Sequence, residues 1–398
     1  MTSQIAIMNY TGIAIASDTM TSISYESGTK TIPNTSKIWE LGPKHAVAVL
    51  HSGSTSINGI THGMHFNEWA RTLEAPLPTL KQYVDSYLAF SSHSQAIVPA
   101  EAERDLVESY VDKLYSNIRF HVDKYLLNWN EEENRWYTEG EDEYAITLDQ
   151  VKVFIGMFEG IPEFKKMSDR DAQSLLDAYR FDLSEKIDEH FVTYPMNNEI
   201  KQFLISNTYL ALSRIDRSTA STSDLAFIGF GSGEPYAGSI KVECRGIYGG
   251  KMQCREQDYS SLSPQISSRI ATFAQDEAIW GFLRGYRYSL LRNLVQKVQG
   301  WISDNFEIDE ENSARIEGEI SDLMFQSAFE IGKQDYTNPM FDSIEGMSVH
   351  GIAELAESLV GIQSTSTYAE TGTATVGGLI EVATIDRKNG FVWRKKAS

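Results

Sequence analysis

Residues 2–18 read TSQIAIMNYTGIAIASD. Ile5 and Ile7 alternate with Ala6 and Met8, the cluster Asn9-Tyr10-Thr11-Gly12 interrupts the run, and Ile13 and Ile15 alternate again as far as Asp18. Period-two alternation on both sides of a turn cluster predicts an antiparallel β-hairpin. Residues 36–53, SKIWELGPKHAVAVLHSG, repeat the device: Lys37 to Leu41, a Gly42-Pro43-Lys44 turn, and an apolar arm from Ala46 to Leu50. That second arm, apolar at nearly every position, predicts a strand buried on both faces. The polar residues between the hairpins, Thr19 to Ser36, read as a connection.

Further along, residues 55–95 read as mostly helical, and Leu106, Val107, Tyr110, Val111, Leu114, Ile118 and Val122 keep a helical period within 101–128. An acidic segment, 131–143, reads as a solvated loop or hairpin tip. Helices are predicted over 168–191, with a capping box at Ser168 and Asp171, and over 198–215. Strands return at 225–230 and 236–242, with a Gly249-Gly250 turn, and the segment Ile270–Gln275 leads into the next helix. Helices over 275–303 and 347–367 follow, and strands at 377–385 and 390–393 close the chain. Trp280, Phe282, Tyr286 and Tyr288 read as core or subunit contact. Strands, helices, strands, helices, strands is not a βαβ order. It predicts an α+β fold in which two antiparallel sheets stack between helical layers, an αββα four-layer sandwich.

The 398 residues include 35 Lys+Arg against 55 Asp+Glu, a net charge of −20, which argues against nucleic acid or an anionic membrane as partner. No window has the roughly 18 consecutive apolar residues of a membrane span, and the first residues lack the pattern of a secretory signal. Cys244 and Cys254 fit no zinc spacing and read as reduced thiols facing each other across a hairpin, so the expected location is cytoplasmic. His62 and His65 lack acidic or Cys partners at ligand spacing, and no Lys-Ser/Thr or helix start follows Gly229, Gly231 and Gly233. Neither a metal nor a cofactor is expected.

Thr2 follows Met1, and removal of Met1 would leave Thr2 with a free α-amine. An N-terminal Thr combines a hydroxyl nucleophile with its own amine as base. The return strand of the first hairpin brings Asp18 back beside Thr2, and Lys37 opens the second hairpin. A cation there lowers the pKa of the hydroxyl and amine, and a carboxylate orients the cation. Backbone amides around Leu50, His51, Ser52 and Gly53 are candidates for an oxyanion hole and pocket.

Thr2, the IAIASD segment ending at Asp18, TSKIW around Lys37 and AVAVLHSG ending at Gly53 resemble the opening of proteasome β-type subunits and of the peptidase subunit of the bacterial two-component proteasome-like protease, both N-terminal-nucleophile hydrolases. The late TVGGLIEVATI and NGFVW segments are similar to the family's closing strands. The resemblance implies Thr2 as nucleophile, Asp18 and Lys37 as its supporting pair, and a peptide or amide as substrate. It also implies a homo-oligomer, a ring among the arrangements, with an ATPase partner by analogy only. It implies a hydrolase core of 2–80 and 216–398, and a mainly helical insertion, 81–215, that standard subunits lack. Thr373 and Val376 stand where the family has Asp and Ser. Ser3, Thr272, Gln275 and Thr373 are secondary site candidates. The alternative is a catalytically inactive scaffold that binds through the insertion.

Overall fold

The computed structural model describes residues 2–25, 28–93, 98–126, 129–130, 135–136, 143–158, 160–214, 222–306, 310–372 and 376–397. The strands of the two main sheets are β1 (Ser3–Asn9), β2 (Gly12–Asp18), β3 (Ile38–Glu40), β4 (Val47–Gly53), β5 (Ser223–Gly229), β6 (Gly238–Tyr248), β7 (Lys251–Ser261), β8 (Ser268–Ala274), β9 (Ile380–Asp386) and β10 (Gly390–Lys395). They form two five-stranded antiparallel sheets, ordered β8-β1-β2-β9-β10 and β7-β6-β5-β4-β3. The fold is α+β.

The helices are α1 (His62–Thr72), α2 (Leu80–His93), α3 (Ala100–Asp123), α4 (Glu143–Gly156), α5 (Asp169–Tyr179), α6 (Leu183–His190), α7 (Asn198–Asn207), α8 (Leu210–Ser213), α9 (Glu277–Arg284), α10 (Tyr288–Asn305), α11 (Glu310–Gly332), α12 (Asn338–Gly346) and α13 (Val349–Thr371).

The first hairpin shows why IAIM and GIAIA are apolar at every position. Ala6, Met8, Ile13 and Ile15 pack toward the second sheet, against Ala48, Leu50, Ala226 and Ile228. Their neighbours Ile5, Ile7, Ala14 and Ala16 face the other way, against Ile279, Ile352, Ala356 and Val360 of α9 and α13. The register sets Ile5 against Ala16, Ile7 against Ala14, Ala6 against Ile15 and Met8 against Ile13. On the helix-facing side each Ile meets an Ala, and between the sheets Ala6 meets Ile15 while Met8 meets Ile13. On the far face of the second sheet, Val47, Val49, Leu225 and Phe227 meet Phe66, Trp69, Tyr83 and Tyr87.

Several sequence expectations change. The 19–36 connection holds its own hairpin, Thr21–Tyr25 paired with Gly28–Ile32. The helix expected over 168–191 is two: Arg180 ends α5 at φ 54°, and Asp182 caps α6 by accepting from the Glu185 amide. The Ser168–Asp171 capping box is present. The helix expected over 275–303 breaks at Gly285, whose φ of 77° favours glycine. Phe282 and Tyr288 are exposed, which of the two expected roles leaves that of a subunit contact. Helix α2 packs on the second sheet, and a separate core cluster runs from α3 to α8 with Tyr248 of β6. In the acidic segment, residues 129–130 pair with 135–136, and 131–134 and 137–142 lie outside the described residues, as does Ile215. Cys244 and Cys254 are register partners and free thiols. No helix among the described residues is long and apolar enough to cross a membrane.

One buried cation joins the insertion to the sheet. Arg245 on β6, 4% exposed, donates to the carbonyls of Ala211 (2.6 Å) and Arg214 (2.7 Å) and lies 4.4 Å from the Tyr110 ring centre. The Tyr110 hydroxyl donates back to the Arg245 carbonyl. Replacing Arg245 by Met strands two buried carbonyls, so Arg245→Met should lower stability by about 2–4 kcal/mol. Urea unfolding reads the loss, and limited proteolysis should find it concentrated in α3–α8.

Candidate functional site

The site grows from one carboxylate. Asp18 ends β2, fully buried, because β2 runs between β1 and β9. Its Oδ1 accepts from the Ser3 amide at 2.9 Å and from Lys37 Nζ at 2.8 Å. Its Oδ2 accepts from the amides of Met20 and Gly377, each at 3.2 Å. Lys37, 2% exposed, also donates to the Met20 carbonyl at 2.6 Å. Burial lowers the Lys37 pKa, while Asp18 and then Glu381 oppose that shift by favouring the ammonium. The pair is thus a buried ion pair whose remaining valences are filled by backbone.

Thr2 sits beside this pair by covalent geometry. Its successor Ser3 gives its amide to Asp18, and the Thr2 carbonyl accepts from the Gln275 amide at 2.9 Å. Residue 2, half-buried, is therefore held from both flanking strands, β2 and β8. Ser3 itself is buried with no partner for its hydroxyl among the described residues. Thr272 is engaged elsewhere: its hydroxyl bonds Asp276 and accepts from the Trp280 indole. Gln275 adjoins Thr2 through its backbone, and Thr373 lies outside the described residues.

The oxyanion and pocket candidates divide. Leu50 is fully buried between the sheets and cannot line a pocket, because β4 alternates and its even positions face β1 and β2. The His51 amide is taken by the Lys37 carbonyl, and Ser54 beyond Gly53 by the Thr222 carbonyl. Ser52 is buried. Gly53 has φ 84°, and a Cβ there would lie 2.4 Å from the Thr222 carbonyl oxygen. The His51 ring accepts from the Trp39 indole at 3.1 Å and packs 4.7 Å from the ring of His62, itself on α1 with His65. Burial lowers the pKa of His51, His62 and His65, that of His62 to about 4. Among the described residues no group of three or more His, Cys, Asp or Glu is arranged to hold a metal ion.

Two participants escape the sequence reading. Glu381 on β9 is fully buried, accepts from the Ser36 hydroxyl at 2.7 Å, and adds negative charge near Lys37. An acid inside the apolar run LIEVATI is the signal that points to it. Gln4, also buried, donates to the His51 carbonyl at 2.9 Å and so links β1 to β4. Comparison with protein-family models finds no match for the chain, and comparison with curated proteins finds none either.

Two outcomes follow. Asp18→Asn leaves Lys37 buried without its contacting counter-charge and should cost about 3–5 kcal/mol. The double variant Asp18→Asn with Lys37→Met should regain most of it in urea melts. The histidines are neutral when folded and protonate more readily when unfolded. Stability is therefore full above the ordinary histidine value of 6.5 and falls as pH drops from there toward 4, with His62 alone contributing on the order of 3 kcal/mol. Urea midpoints across that interval, with His62→Gln flattening the slope, check the sign.

Proposed function

We propose that the chain is an N-terminal-nucleophile amide hydrolase, a proteasome-like peptidase, in which Thr2 acts once the bond before it is cut. The observation that carries this reading is the Asp18–Lys37 pair, anchored by the amide of the residue next to Thr2. The layering of two stacked sheets, with α9 and α13 on one outer face and α1 and α2 on the other, supports the αββα sandwich of that family.

In the proposed reaction Thr2 Oγ1 attacks the substrate carbonyl carbon while the Thr2 α-amine takes the hydroxyl proton. The C–N bond breaks, the amine passes its proton to the leaving nitrogen, and an ester on Thr2 remains. Water then adds to the ester, and Thr2 leaves with the proton restored. Lys37 stabilises the developing alkoxide, and Asp18 and Glu381 keep Lys37 charged and oriented. An α-amine titrates near 7.7–8.0 when unperturbed, so turnover should rise through that range. A second reading, a non-catalytic scaffold, is favoured by Val376, which is 1% exposed and offers no hydroxyl where the family carries Ser.

The test is intact mass before and after an epoxyketone, a reagent that needs both the hydroxyl and the free amine. The expected result is a chain beginning at Thr2 that gains one inhibitor mass, with Thr2→Ala folded, unlabelled and inactive. A residue retained ahead of Thr2, or label persisting in Thr2→Ala, would overturn the reading.

A further inference from the structure

Helices α10 and α11 form an antiparallel arm. Tyr288 stacks on Phe325 at 5.2 Å, and Gln299 donates to the Glu317 carbonyl and the Ser321 hydroxyl. Among the described elements, the extensive packing of α10 is with α11. Leu291 and Val295 turn inward, 9% and 3% exposed. Leu290, Leu294, Val298 and Trp301 recur at intervals of four, four and three, which places them on one helix face beside that seam. They are 56%, 46%, 37% and 58% exposed. On α11, Leu323 and Phe329 are 66% and 60% exposed.

A helix with one neighbour needs a single narrow apolar stripe. Two adjoining stripes, as on α10, are the pattern of a helix in a bundle that packs against two others. The arm supplies one of them. The charges indicate what supplies the other. Helix α10 carries Arg292 and Lys297, with Asp304 its only acid, near the end. Helix α11 carries Glu317, Glu319, Asp322 and Glu330 against Arg315. Elsewhere, two copies of a chain with net charge −20 repel.

We propose that the arm is an interface between two copies of this chain, the two arms packing about a two-fold axis into a four-helix bundle. The contact is isologous, with α10 of each copy laid on α11 of the other, so that basic meets acidic along a shared apolar seam. It uses no residue of the Thr2 site and stands or falls separately from that reading.

Sedimentation velocity on the full-length chain tests it. Wild type should sediment as an even-numbered assembly at micromolar concentration. Leu290→Glu with Leu294→Glu, both on an exposed face, should halve the mass with unchanged circular dichroism. Lys297→Glu should weaken self-association about tenfold. A monomeric wild type, or a double variant that keeps the wild-type mass, overturns the proposal. So does a monomer that floats with anionic vesicles, which would make the arm a membrane-binding element instead.

Discussion

The Asp18 carboxylate is the constraint on which the rest of the structure converges. Its two oxygens collect donors from four separate places: Ser3 at the start of β1, Met20 just past β2, Lys37 before β3 and Gly377 before β9. A fully buried carboxylate survives only where such donors replace its water, and here three are backbone amides and the fourth is a charge. The arrangement fixes the entry to β1, the exit from β2 and the approach to β9 relative to one another. Residue 2 is thereby held at a defined place at the start of β1, between β8 and β2.

The surroundings of that pair are layered by charge. Lys37 has Asp18 in contact and is also influenced by Glu381, while its charge acts on the ring of His51. Burial, with Lys37 adding to it, disfavours the imidazolium form of His51. The buried guanidinium of Arg245 joins the α3–α8 helices to the second sheet by donating to the Ala211 and Arg214 carbonyls.

How much could be read beforehand depended on the range of the interactions involved. The two N-terminal hairpins were legible because alternation and turn chemistry are local, and so was the meeting of Asp18 with Lys37. The 21–32 hairpin was not, since TSISY and GTKTI carry too little apolar contrast to mark a strand. The helix breaks at Arg180 and Gly285 were hidden by an apolar period that continues through them. Leu50 was read with His51, Ser52 and Gly53 as an oxyanion-hole and pocket strand, yet strand alternation sends its side chain into the core. Glu381 went unnoticed because its partners, Ser36 and Lys37, lie hundreds of residues away along the chain.

By itself the sequence determined the α+β class, the hairpins that begin and end the chain, and the identity of the Thr2, Asp18 and Lys37 cluster, because each follows from local period or from a turn that folds neighbours together. Tertiary structure alone decided which face of each strand became interior, that Gly377 and Glu381 join the cluster, and that α10 displays a second apolar stripe. These depend on which distant segments pack together, and no local pattern encodes the buried surface a side chain will share with residues far along the chain.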